Sequence, residues 1–599
     1  MAEENIPSAK DLTAVQHFPI EWIKLHPRKV EEILSTLSLE DKARRVLNLP
    51  TAFQRELLVL CEDAVEVTQS IPAEEIYHLI KELGHEDSLL ILSMASQEQL
   101  QYFFDLEWWQ GDKFQPQRAM EWLELLDQCD EPETLEWFLN EDFDQKVMLL
   151  QSLVKVFKQD EMTDSYDGVE GLEHFSPDGV YDVFFKVKES KVIRKLFLLL
   201  AEKDMAFLHE LMEAVIWFPL TITVEKAYQW RLTRTSGRGI PEFEEAIGVY
   251  SSLNPEDLKQ GVPSSENFPG GKFRFSPQYP LAQALLAHFF GQCVMNLDSE
   301  DRLDAIRWEL VCLANKIMVA DKLDLSDLKI RQKAMRKAVA YINIGLELGA
   351  AGDLEKGHSL LHQLWMQSLF QVGFEQLKQI RSKASMFLKE NGPFIENFVS
   401  EGDKEKLGAL VLSFPQIAEK GEEEAAVLWR DPESLDDVRT INKFLDRWTF
   451  YIRFAKQSLG LDAKTLESKW GGFDYPESGK LELLTLVTTA FARHTMFKTL
   501  SCEPLPISAA KSFLDVVFLA GIFQDEGKIV DEDKVSSFER ALLDTPMAWT
   551  EADRELLREL LVQSVANLED QFGRLDFSKT IQWQYTQGLL ITLNSALGQ

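Results

Sequence analysis

No Cys-x-x-Cys pair occurs in this sequence: its five cysteines, Cys61, Cys129, Cys293, Cys312 and Cys502, stand far apart. Zinc ribbons and disulfide frameworks need close, paired spacing, so neither is expected, and the usage fits a reducing compartment. Basic residues are scarce, 63 Lys and Arg against 98 Asp and Glu, for a formal charge of −35. That field repels phosphate backbones and acidic bilayers, and no basic stripe interrupts it, so no nucleic-acid partner and no membrane insertion are expected. Long apolar runs are missing too. The densest, Val516 to Phe523, falls far short of the ~20 residues that span a bilayer, and Met1 to Lys10 lacks the apolar core of a signal peptide. A cytoplasmic protein is the expectation.

Motifs for common chemistries also fail by position. A phosphate-binding loop at Gly271-Lys272 would need a glycine where Glu266 stands and a hydroxyl where Phe273 stands. A dinucleotide fingerprint opening at Gly237 would place its last glycine on Glu242. An EF-hand register before Gly168 puts Thr163 at the first ligand and His174 where the bidentate Glu belongs. His358 and His362 share a helix face, but Ser359 replaces the Glu of a metalloprotease helix, and Glu355 is the one further ligand nearby. Glu75 and His78 have the spacing of a di-iron half-site, which would need a second copy and two more carboxylates. No catalytic residue, metal or cofactor is assigned.

What is present is a repeat. Residues 30–58 align with 76–104 at a shift of 46: Val30 on Ile76, Ile33 on Leu79, Leu34 on Ile80, Leu37 on Leu83, Glu40-Asp41 on Glu86-Asp87, Val46 on Leu92, Leu57 on Phe103 and Leu58 on Phe104. Apolar spacings of three and four within each copy predict helices, and a repeat of this length predicts stacked helix pairs. Pro27 and Pro72 stand just ahead of their stripes, and Ser38-Leu39-Glu40-Asp41 reads as a helix cap. A degenerate third copy follows Pro116 with Met120, Leu123, Leu126, Leu135 and Phe138. Trp108-Trp109 lies between copies, either as an aromatic wedge at the seam or as a stacking platform for a ligand.

The expected fold is mainly α: α-solenoid-like helical repeats, a small mixed middle segment with one short β-hairpin, and a C-terminal helical domain. The division is a 1–19 tail, 20–158 helical repeat, 159–280 middle domain, 281–420 tetratricopeptide-like helices and 421–599 C-terminal helices. Ser176-Pro177-Asp178-Gly179 supplies the hairpin turn and Val180 to Val187 a strand. Ser236 to Pro241 and Pro263 to Pro280 read as exposed loops. Gly345, Gly352-Asp353 and Leu361 fit tetratricopeptide spacing, although Gly357 replaces the usual alanine. Glu422-Glu423-Glu424 through Asp431-Pro432 reads as an acidic connection. Leu435–Leu459 and 480–599 read as amphipathic helices broken at Trp470-Gly471-Gly472, Pro504 to Pro506 and Asp531-Glu532-Asp533.

One segment concentrates positive charge. Tyr228, Trp230, Arg231 and Arg234 fall on a predicted helix, with Arg238 in the glycine loop that follows. Arg231 and Arg234 share a face, and three guanidiniums could hold a phosphate, a carboxylate or a peptide end. Alternatively they pair with Glu242, Glu244 and Glu245, which come directly after.

Through Glu225–Arg231, Gly239–Ala246, Tyr250 and Leu369–Gly373, the chain resembles a bacterial family of long cytosolic proteins known only as a domain of unknown function. The resemblance implies no activity. The Glu40-Asp41 and Glu86-Asp87 repeat resembles the helical superhelix of bacterial magnesium-channel N-terminal domains and flagellar switch proteins, with no transmembrane segment here and no magnesium ligand implied. The function expected is a non-enzymatic scaffold or adaptor with protein partners. The alternatives are a regulator that binds a phosphate or carboxylate near Arg231, Arg234 and Arg238, and an enzyme whose site is assembled from distant residues.

Overall fold

In a computed structural model, residues 20–129, 131–159, 168–188, 191–258, 275–283, 288–420, 427–462, 482–524, 527–577, 581, 583 and 588–592 are described. The 1–19 tail, most of the Pro263–Pro280 loop, Glu422–Glu424 and Trp470-Gly471-Gly472 lie outside them. The chain is mainly α-helical, with sheets of two or three strands, and divides into two compact units, Met1–Glu375 and Gln376–Gln599.

In the first unit, the aligned repeat positions Val30, Ile33, Leu34, Val46, Leu57 and Leu58 are all buried, and so are Ile76, Leu79, Ile80, Leu92, Phe103 and Phe104. Each copy holds three short helices rather than the expected pair. They are Pro27–Ser35, Leu39–Leu47 and Thr51–Val59 in the first, and Ala73–Leu83, His85–Ser93 and Gln97–Glu107 in the second. Apolar spacing alone does not resolve the third helix, although Pro50 and Ser96 stand at its two starts. Ser38 accepts from the Asp41 amide as an N-cap, and Ser96 and Gln99 form a reciprocal capping box. Copies meet through aromatic contacts: Phe104 packs edge-on against Trp137, ring centres 4.9 Å apart, and stacks on Trp108 at 4.3 Å.

The middle segment departs from the expected single hairpin. Tyr181–Phe185 is the central strand of a three-stranded antiparallel sheet, flanked by His174–Phe175 and by Val154–Lys158. The latter falls in sequence expected to be helical, but Val154 and Val156 alternate inward in a β-branched run that favours a pleated surface. Asp178 Oδ1 accepts from the Val180 and Tyr181 amides at 2.9 and 3.0 Å, closing the expected turn.

Beyond it the long helices Glu300–Ala320 and Leu328–Ala350 pack together, joined by the shorter Leu354–Gln363. A Cβ on Gly357 would meet Cys293 Sγ at 2.7 Å and Phe289 at 2.9 Å, which explains the missing alanine there. Arg302 and Glu309 form a buried ion pair at 2.6 Å, with Arg302 also donating to the Leu361 and Leu364 carbonyls.

The second unit is not helical throughout. Ile417–Lys420 pairs with Val427–Arg430, and Phe518–Gln524 with Gly527–Val530, in antiparallel ladders; Leu505–Pro506 and Ile591–Thr592 pair in parallel. The Phe518–Gln524 strand corrects the expectation of helix there: a short continuous apolar run has no period to separate strand from buried helix. Helices Leu435–Gln457, Leu483–Phe497 and Glu551–Phe572 carry the core, and Arg430 clamps Asp437 with two bonds of 2.9 and 3.0 Å.

Candidate functional site

The arginine-rich segment lies in the first unit, on the helix Leu220–Ser236 and the turn after it. Thr223, Ala227, Arg231 and Thr235 form its buried face, one residue per turn. A guanidinium on that face needs partners, since burying a charge without hydrogen bonds is costly. Arg231, 5% exposed, donates from Nε to the Asp105 carbonyl at 2.7 Å and from Nη1 to the Gly111 carbonyl at 3.2 Å. The first carbonyl is in the last turn of Gln97–Glu107, where the helix dipole favours a cation. The second belongs to the tight hairpin Trp109–Gln110/Lys113–Phe114, whose two-residue turn puts Gly111 at φ +63°. The Arg231 guanidinium also lies over the Trp109 ring, 5.7 Å from its centre.

Arg234, one turn on, grips the Asp105 carboxylate with two parallel bonds, Nε to Oδ2 at 2.8 Å and Nη2 to Oδ1 at 2.7 Å. Burial works against its charge, but the Asp105 bonds and the charges of Asp105, Glu141 and Asp142 outweigh it and hold Arg234 above its ordinary value. Arg238 donates to Glu74 at 3.1 Å and Glu98 at 2.7 Å. Its loop is fixed by Gly239, at φ +76°, where a Cβ would sit 2.3 Å from Cys312 Sγ. The carboxylates at these arginines therefore come from the repeat helices, 129 to 164 residues away. They are not the neighbouring Glu242, Glu244 and Glu245 of the local-pairing alternative, of which Glu245 lies 3.7 Å from Lys316. Asp105 is the residue that sequence reasoning missed. Its one visible signal is a carboxylate inside the apolar run Phe103–Leu106, which demands a cation.

Of the remaining site residues, Trp230 is 49% exposed and outside the cavity described next. Tyr228 tilts against Trp109, ring centres 5.7 Å apart, and both line a cavity of about 550 Å3 with Arg231, Phe243, Asp112, Glu242, Glu244 and Lys322. Trp109 is thus both seam and cavity wall, whereas Trp108 is sealed between Phe104 and Trp137.

A second polar cluster lies where the repeat meets the N-terminal end of Leu328–Ala350. Arg331 is buried under the Tyr77 ring, 5.0 Å from its centre, and donates to the Leu325 carbonyl at 2.8 Å. Glu75, 4% exposed, accepts the Gln278 and Tyr279 amides at 2.8 and 3.3 Å, while the His78 ring stacks on Tyr279 at 4.4 Å and pairs with Glu82. The Glu75 and His78 side chains therefore hold protein groups. Among the described residues no group of three or more His, Cys, Asp or Glu could hold a metal. Burial raises the Glu75 carboxyl above its ordinary 4.5, opposed by the two amides. A raised folded-state value contributes stability that is complete below 4.5 and lost as pH climbs through it. Thermal melts between about pH 4.5 and 7.5 should therefore decline more steeply for wild type than for Glu75→Gln, whose amide oxygen can still accept. Parallel declines would contradict this.

Among the described residues no single helix is long and apolar enough to cross a membrane. Met205–Trp217 and Leu220–Ser236 reach that composition only as a pair bent by 110°. The chain belongs to a family of unknown function, DUF6178, whose model matches residues 31–592. No curated protein and no solved structure matches it. Neither comparison shows the expected likeness to magnesium-channel N-terminal domains or flagellar switch proteins.

Proposed function

We propose that this member of DUF6178 is a non-enzymatic, cytoplasmic scaffold that binds a partner protein through the corner between its Met205–Trp217 and Leu220–Ser236 helices. The supporting observation is the exposure there of Trp217 (74%), Phe218 (41%), Leu220 (45%) and Ile222 (52%) on a backbone that is held in place. Gln151 donates to the Val215 and Phe218 carbonyls at 3.1 and 2.7 Å and accepts from the Thr223 hydroxyl at 2.6 Å. Glu213, itself bonded by Lys158 and Tyr181, accepts the Trp217 indole N–H at 2.9 Å. A contiguous apolar patch on rigid helices costs little ordering on association, and an aromatic anchor is the residue type that dominates interfaces. A bilayer is the less favoured occupant because a chain of charge −35 is repelled by acidic lipid headgroups.

Replacing Trp217 and Ile222 together by serine should leave the melting temperature nearly unchanged, because both side chains are exposed. Affinity purification from the native host should recover one stoichiometric protein with wild type and lose it with this variant. Equal recovery by both would contradict the proposal, as would variant-sensitive co-sedimentation of the wild type with phosphatidylcholine vesicles.

A further inference from the structure

The cavity beside Tyr228 has a chemistry that the arginine count conceals. Arg234 and Arg238 face carboxylates and have little capacity left for an anion. Arg231 differs. Both of its bonds go to neutral carbonyls through Nε and Nη1, and Nη2 has no hydrogen-bond partner among the described residues. Arg231 is thus a buried, permanently charged group without a contacting carboxylate, on the wall of a space of about 550 Å3, within the size range of ligand pockets. Trp109, Tyr228 and Phe243 supply flat apolar walls, and Asp112, Glu242 and Glu244 are exposed carboxylates on the same cavity. Lys322 leans over the Phe243 ring, 4.7 Å from its centre. Burial holds the Tyr228 phenol above its ordinary value, with the Arg231 charge opposing and the Asp112 and Glu242 charges adding to the shift.

We propose that this cavity binds a zwitterionic ligand: a carboxylate on Arg231 Nη2, an apolar or aromatic stem against Trp109 and Tyr228, and an amine or guanidinium among Asp112, Glu242 and Glu244. A phosphate dianion fits less well. One guanidinium and the Lys322 ammonium are available rather than three guanidiniums, and four carboxylates line the cavity, of which Asp324 is held by Arg118. A bare cation is equally disfavoured, because it would meet the buried Arg231 charge. Two sources carry the favoured chemistry, a free basic amino acid and the C-terminal end of a peptide with a basic residue. The volume exceeds what one amino acid fills, which favours the peptide end. The site is separate from the Trp217 corner, so the proposal stands or falls without the scaffold reading.

The test is calorimetric titration of the full chain with phenylalanyl-arginine, its C-terminal amide, L-arginine and inorganic phosphate. The dipeptide acid should bind at least tenfold more tightly than its amide, and phosphate should not compete. L-arginine binding as tightly as the dipeptide would assign the free amino acid; weaker binding would assign the peptide end. Because Arg231→Met removes bonds that position Asp105 and Gly111, the variants to compare are Tyr228→Ala and the exposed pair Glu242→Gln/Glu244→Gln. Each should weaken the dipeptide at least fivefold, and the Glu242→Gln/Glu244→Gln pair should do so with an unchanged melting temperature, since both side chains are exposed. No binding of any probe, equal binding of acid and amide, tighter binding of phosphate, or unaltered affinity in both variants would overturn the proposal.

Discussion

Asp105→Ala is expected to destabilise the first unit by about 3 kcal/mol, the lower end of the range for removing one partner of a buried ion pair. Asp105 is 3% exposed and is gripped at both carboxylate oxygens by Arg234. Truncation leaves that guanidinium without its acid and next to Arg231, whose own bonds are to carbonyls. The Arg234 side chain keeps 30% of its exposure, so water can recover part of the loss, which places the effect at the low end. Set against a typical total of about 5–15 kcal/mol, the change is large. Urea unfolding followed by circular dichroism checks it; a midpoint within error of wild type would show that the clamp contributes nothing.

Gly345→Ala carries the second large effect. Gly345 on Leu328–Ala350 and Gly373 on Met366–Phe398 form a reciprocal close approach: a Cβ on Gly345 would lie 2.0 Å from the Leu369 carbonyl oxygen, and one on Gly373 2.0 Å from that of Tyr341. Both obstacles are backbone, so the helices themselves must separate. Overpacking against side chains costs about 1–3 kcal/mol, and a backbone obstacle belongs at the top of that range or above it. Alanine recovers up to about 1 kcal/mol of helix propensity. A net loss of about 2 kcal/mol or more follows. Gly349→Ala is the internal control, because its Cβ would meet only the Leu360 Cδ1 methyl at 3.2 Å. It should be near neutral or stabilising, and equal behaviour of the two variants would mean that the crossing is looser than described.

What the sequence makes legible follows the range of the forces involved. Of the seven aligned apolar pairs, six are buried in both copies, from Val30 and Ile76 to Leu58 and Phe104, and Leu37/Leu83 is half-buried, because apolar periodicity is a local signal. The Ser38 cap and the Ser176–Gly179 turn are legible for the same reason. The Val154–Lys158 strand is not, since its pairing with Tyr181–Phe185 is decided by residues more than 20 positions away. The arginine segment shows the same limit. Arg231, Arg234 and Arg238 stand out by composition, yet their roles are set by Asp105, Gly111, Glu74 and Glu98, whose contribution no local spacing reveals. Gly357 and Gly239 look like departures or flexible joints in sequence. In space each is the one residue that fits against a cysteine.

A double-mutant cycle measures this division of labour among the arginines directly. Unfolding free energies of wild type, Asp105→Asn, Arg234→Gln and the double variant give the coupling between the two side chains. If Arg234 is clamped to the repeat helices, the coupling is about 1.5 kcal/mol or more, within the range for residues sharing one ion-pair network. A coupling below about 0.3 kcal/mol, the additivity expected of independent sites, would return Arg234 to the open cations and undo the assignment of Arg231 as the only one of the three facing a ligand.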